Sequence, residues 1–155
     1  MTTIAFDGKT LAVDRGSWSG YIVNETTKLF PPKPDAATVF ANGWPMGAFA
    51  LAGTAGICLS ILHWARTGID KPYLPEAEKS NSHGVLVTLD AKVYRISGYL
   101  MLEQIESVPF ADGGGHECAL GAMLAGADAR RAVEIVGERM WMSRFGVDTW
   151  EVPGK

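Results

Sequence analysis

Chemistry could begin at the second residue of this chain. The sequence opens Met1-Thr2-Thr3-Ile4-Ala5-Phe6-Asp7-Gly8, and a start methionine is usually trimmed when a small residue follows it. Trimming leaves Thr2 with a free α-amine and a side-chain hydroxyl on one residue. Such an amine, with an ordinary pKa of ~8, can serve as general base to that hydroxyl near neutral pH, so no histidine is required. Thr3 is not exposed by removal of a single residue. If Met1 stays, Thr2 has no free amine and the arrangement is inert.

The other reactive residue types offer less. His63, His83 and His116 do not fall at a ligand spacing, and Cys58 and Cys118 are far apart, so neither a zinc site nor any other metal site is expected. The two cysteines lie in apolar, helix-like stretches and read as buried thiols of a reducing compartment, not as a disulfide frame. Ser17 and Ser19 lack the Gly-x-Ser-x-Gly surroundings of a serine hydrolase elbow. Gly113-Gly114-Gly115 is not followed by Lys-Ser/Thr, so it reads as a tight strand-to-helix turn and not as a phosphate loop. No cofactor is expected.

Several elements must position Thr2. Asp7-Gly8 sits between alternating segments and marks a hairpin turn. The return strand, Thr10 to Asp14, brings Asp14 close to Thr2. Residues 15–20 are loop-like. Tyr21 to Phe30 reads as a strand stopped by Pro31-Pro32, with Lys28 in its last part. Lys33 to Ala37 is a surface turn, Thr38 to Ala41 a strand, Asn42 to Pro45 a turn and Gly47 to Ala52 a strand. Gly53-Thr54-Ala55-Gly56 opens a helix from Ala55 to about Thr67, with Gly68 as its stop. Asp70 to His83 is expected to be an exposed loop. Val85 to Asp90 and Lys92 to Ile96 form a further hairpin. Leu100 to Phe110 leads to another strand and the glycine cluster. Helices follow over about His116 to Leu124 and Asp128 to Ser143, with Asp128 as N-cap. Val147 to Val152 is the last strand.

At 155 residues, 47% hydrophobic and 20% charged, the chain fits one domain, 1–155, with a real core. The order of strands, helix, strands, two helices and strand argues α+β, with antiparallel sheets and outer helices. A net charge of −3 with no basic run gives no sign of nucleic-acid binding. The apolar run from Gly47 to Leu62 is broken by glycines and falls short of the ~20 residues of a membrane span. No basic region followed by an apolar block marks a signal peptide. The expected location is the cytoplasm.

Taken in order, the Thr-Thr-Ile start, the hairpin ending at Asp14, the Thr26-Thr27-Lys28 segment, Ala52-Gly53-Thr54-Ala55 at a helix mouth and the late glycine cluster resemble the proteasome β-subunit family of N-terminal nucleophile hydrolases. The HslV-type bacterial peptidase subunit is the nearest form. The resemblance covers nearly the whole chain and rests on the ordered set, not on one motif. It implies a four-layer αββα sandwich, with Thr2 as nucleophile, Asp14 as the acid beneath it and Lys28 as the ammonium beside that acid. It further implies Gly53 as the oxyanion N–H donor, Ser143 as a hydroxyl near the α-amine, and Phe30, Leu51 and Ala55 as lining for the substrate side chain. Gly53 also opens a helix, whose dipole favours an oxyanion.

The chain departs from the family in four places. Gly114 stands where a turn serine is common, Met140 stands where proteasome subunits carry an acid (the HslV type also lacks it), and the hairpin turn and the loop between Asp14 and Lys28 are both shorter than usual. The function implied is a threonine-type endopeptidase acting on unfolded polypeptide. It would assemble as a homo-oligomeric ring or stacked rings and be served by an AAA+ unfoldase, since this chain has no Walker motif. The alternatives are a non-catalytic assembly subunit that keeps Met1, and a small-molecule amidase of the same superfamily.

Overall fold

The N-terminal hairpin folds as its turn dictates. In the computed structural model, which describes residues 1–19, 22–33, 37–79 and 82–155, β1 (Thr3–Phe6) and β2 (Thr10–Asp14) pair antiparallel with Ala5 opposite Ala12. Asp7 holds the turn. Its Oδ1 accepts the N–H groups of Lys9 and Thr10 at 2.9 and 2.8 Å, and its Oδ2 accepts that of Ala129 at 2.9 Å.

Burial alone would push the Asp7 carboxyl up, but the N–H donors of Thr10, Ala129 and Lys9 together outweigh it and hold it below its ordinary 3.8. A depressed carboxyl contributes stability above its unfolded pKa and loses it as pH falls through the folded value. Asp7→Asn, with one acceptor oxygen fewer, should therefore cost about 1–2 kcal/mol at pH 7. Urea midpoints of the two proteins should converge as the pH drops below the ordinary carboxyl value.

Two compact units follow from the chain path: Met1–Leu29 with Glu106–Lys155, and Phe30–Ile105. In the first, a four-stranded sheet has the order β10 (Phe110–Gly113), β1, β2, β11 (Val147–Glu151), with every pair antiparallel. Ala5 and Ala12 on this sheet pack with Ala119 and Met123 of one helix, α3 (His116–Leu124 in chain order), and with Ala129, Ala132, Val133 and Val136 of another, α4 (Ala129–Arg139). Alanine on both surfaces lets helix and sheet approach closely, and burial of these groups drives the packing. Asp128 caps α4, accepting the Arg131 N–H at 2.7 Å.

The second unit carries a five-stranded sheet in sequence order: β5 (Leu29–Phe30), β6 (Gly47–Ala52), β7 (His83–Thr88), β8 (Val93–Ile96) and β9 (Leu102–Ile105). The division between the units falls inside β5. Here α1 (Ala55–Thr67) runs as the sequence predicts and ends at Gly68, whose left-handed backbone lets its N–H reach Trp64 O. Phe40, Phe49, Leu51, Cys58, Leu62 and Leu86 form its core.

The elements differ from the sequence reading in several places. Residues Gly16–Ser19 form a strand, β3, paired with β4 (Ile22–Glu25); its alternation was hidden by serine and glycine. The expected strand at Thr38 to Ala41 reduces to one bridge, Val39 to Pro45. There Phe40 N–H bonds Trp44 O and Met46 N–H bonds Thr38 O, at 2.7 and 3.0 Å, closing a loop on itself.

The expected exposed loop from Asp70 to His83 holds Leu74, buried with Ile61 and Leu100, and a helical turn, α2 (Glu76–Lys79). Leu100 to Phe110 yields both β9 and the start of β10. The last helix stops at Arg139, Met140 is extended, and a 3-10 turn spans Trp141–Ser143. A side chain at Gly137 would meet Ser143 O at 2.8 Å, so the chain folds back where that residue leaves room. Cys118 is exposed, not buried, and Cys58 is buried as expected. The expectations for Gly20, Tyr21, for 34–36 in the Lys33 to Ala37 turn, and for 80–81 lie outside the described residues.

Candidate active site

Asp14 ends β2 with no exposure at all, which obliges its carboxylate to find donors. It finds three. Oδ1 accepts the Thr3 N–H at 2.5 Å, and Oδ2 accepts the Gly16 N–H at 3.0 Å and the Lys28 ammonium at 2.9 Å. Lys28 is 8% exposed and precedes β5. Its ammonium also donates to the Met1 carbonyl at 3.1 Å. One cation thus touches a buried acid and the peptide bond whose cleavage would free the Thr2 amine. Thr2 itself is buried.

The electrostatics favour a proton acceptor at the start of the chain. Burial first, and then the Lys28 charge, lower the Met1 α-amine from its ordinary 8.0, against a smaller opposing pull from Asp14. With Met1 gone, the Thr2 amine would begin one residue closer to the same ion pair.

The glycine cluster is moulded on this segment. Gly114 N–H donates to Thr2 O at 2.8 Å. Gly113 has φ 86°, and a Cβ on it would stand 2.0 Å from Thr2 O. A Cβ on Gly114 would stand 2.3 Å from the Met1 sulfur, so the Met1 side chain occupies the ground a residue-114 side chain would need. The sequence reading saw a tight turn here and missed its role as the wall behind residues 1–3.

Ser143, 2% exposed, lies with its Oγ 3.3 Å from Thr3 Oγ1. Asp14 and Ser143 therefore both hold Thr3, the residue next to the candidate nucleophile. Sequence reasoning passed over Thr3 because trimming cannot expose it. Strand alternation was the available signal, since it puts Thr3 on the helix-facing side with Ala5.

The remaining predicted residues belong to the second unit. Gly53 follows β6 with φ 110°, is exposed, and precedes Thr54, the N-cap of α1. Ala55 is exposed in the first turn of α1, and Leu51 is buried in the core. Phe30 packs against that core and lines a cavity of about 630 Å³ with Pro31, Val39, Phe40 and Met46. Among the described residues no group of three His, Cys, Asp or Glu side chains is placed to hold a metal ion, and no helix is long and apolar enough to cross a membrane.

The sequence matches no protein-family model and no curated protein. Solved structures do match, over almost the whole chain. Thiobacillus denitrificans BPH in complex with epoxomicin superposes with a TM-score of 0.68 at 19% identity, covering 98% of this chain and 99% of that one. Thiobacillus denitrificans BPH gives 0.66 at 16%, covering 99% of each. Eukaryotic HslV from Trypanosoma brucei gives 0.67 at 17%, covering 97% of this chain and 98% of that one. The chain therefore has an HslV-like, proteasome β-type fold, the fold that the sequence resemblance implies.

Proposed function

We propose that this chain is a threonine-type peptidase subunit whose nucleophile is Thr2 once Met1 is removed. The observation that carries the reading is the Lys28 ammonium, held by buried Asp14 and set against the Met1–Thr2 peptide bond. Thr2 Oγ attacks the substrate carbonyl and its proton passes to the Thr2 α-amine. The protonated amine returns a proton to the departing amine, and water then hydrolyses the acyl ester on Thr2. Lys28 favours the neutral amine and the developing alkoxide by its positive charge, with Asp14 fixing its place.

The resemblance supplies the rest of the reading: Gly53 N–H as oxyanion donor, Ser143 in support of the amine, and Phe30, Leu51 and Ala55 as the walls met by the substrate side chain. It also supplies a cytoplasmic ring, or stacked rings, of identical subunits fed with unfolded polypeptide by an AAA+ partner.

A second reading has its own observation. Gly114 leaves room for the Met1 side chain, as a non-catalytic assembly subunit that keeps Met1 would need. Intact mass decides between the two. The purified chain should lack Met1 and should gain the mass of one epoxomicin, the compound held by the Thiobacillus BPH structure, when incubated with it. A chain that keeps Met1 and takes no adduct is the assembly subunit.

A further inference from the structure

Thr54 occupies the N-cap of α1 with extended φ and ψ of −67° and 121°, yet its side chain makes no cap hydrogen bond. An N-cap threonine ordinarily turns its oxygen to the N–H groups of its own first turn. Here the hydroxyl donates instead to Glu78 Oε2 at 2.9 Å. The backbone that carries Glu78 is well anchored. Its helical turn, α2, starts beside Leu74, buried with Ile61 and Leu100. The turn is also closed by Glu78 N–H to Pro75 O and Ser82 N–H to Glu78 O, both at 2.8 Å. Behind it, Gly98 packs so tightly on Lys79 that a Cβ there would stand 2.0 Å from the Lys79 carbonyl oxygen.

On the other side of Gly53, the Cys58 thiol donates to Ala52 O at 3.4 Å. Ala52 C=O and Gly53 N–H share one planar peptide, so the N–H turns with that plane, and a thiol, being a weak donor, holds the plane only weakly. A swing of the plane is taken up by rotation about Gly53 itself, a residue at φ 110° with no side chain to resist it. Fixing Thr54 removes that freedom.

We propose that Glu78, acting through the Thr54 hydroxyl, is a positioning residue for the Gly53 N–H. This rests on the reading of Gly53 as oxyanion donor. A donor aimed at developing charge accelerates the reaction only while it is held in place, so loosening it should lower kcat and leave KM alone.

The test is a double-mutant cycle on peptide hydrolysis, run beside backbone amide exchange over residues 53–58. Glu78→Ala and Thr54→Val should each lower kcat about tenfold, the scale of one lost hydrogen bond, with KM unchanged and faster exchange. The double variant should be no worse than either single one, because both remove the same contact. Glu78→Gln and Thr54→Ser, which keep an acceptor and a donor, should stay within about twofold of wild type. Additive losses, or Glu78→Ala with unaltered kcat and exchange, overturn the proposal. If wild type hydrolyses no peptide, the peptidase reading falls separately. Equal acceleration of exchange in the two variants then upholds the clasp, and unaltered exchange removes it.

Discussion

Replacing Thr2 by alanine should abolish peptide hydrolysis, and replacing it by serine should leave a measurable fraction. Alanine and serine are both small, so Met1 should be trimmed from either variant as from wild type, and the free α-amine survives. The alanine variant differs only in lacking Oγ, and no other atom of residue 2 can form the acyl ester. Loss of a nucleophile leaves binding and oxyanion stabilisation alone, which corresponds to a fall of about 10³-fold or more. Serine keeps Oγ but lacks the second Cβ substituent that restricts χ1, so its hydroxyl is aimed less firmly and about a tenth of the rate is expected. Initial rates on an unstructured peptide, each paired with an intact mass showing Met1 absent, give the comparison. Full activity in the alanine protein would sink the mechanism. Both variants retaining Met1 would return attention to the assembly reading, because the Gly114 notch accepts that side chain.

How much of this was legible in the sequence varied with the range of the forces involved. The Asp-Gly hairpin, helix α1 and its glycine stop, and the Asp128 cap are set by residues within a few positions of one another, and they stand where local rules put them. The hairpin alone brings Asp14 to the start of the chain. Where long-range packing decided the outcome, local rules failed. Leu74 is buried against Ile61 and Leu100, and nothing in its polar neighbours announces that. The Gly16–Ser19 strand exists through its pairing with Ile22–Glu25, while its own residues read as loop. The pairing of Lys28 with Asp14 came only through the resemblance, and the structure shows its physical cause, a carboxylate with no exposure that needs a cation. The triple glycine reads locally as a turn, and its close approach to residues 1–3 arises only from packing distant in sequence. Thr3 carries no local signal of its role beyond strand alternation, because trimming cannot expose it, yet its N–H and hydroxyl are what Asp14 and Ser143 hold.

Lys28→Met should remove most activity, and the harder question is why. Asp14 is wholly buried, so removing its cation strands a charge, which typically costs 3–5 kcal/mol, on the order of what a modest domain can lose before unfolding. The Thr3 and Gly16 N–H groups still donate to it, which points to about 3 kcal/mol, the lower end of that range. A loss of rate in this variant could therefore reflect an unfolded fraction. The double variant Asp14→Asn/Lys28→Met separates the two causes. It removes both charges, so the stranded-charge term disappears and part of the stability should return. The return is partial because asparagine offers one acceptor oxygen where two N–H donors wait. Its rate should stay roughly 10²-fold or more below wild type, because no ammonium remains to favour the neutral amine or the alkoxide. Urea unfolding and initial rates on the same two proteins give the result. Recovery of stability without recovery of rate makes Lys28 a chemical participant beside Thr2. Recovery of both would make it a strut for Asp14, and the case for a peptidase would then rest on Thr2 alone.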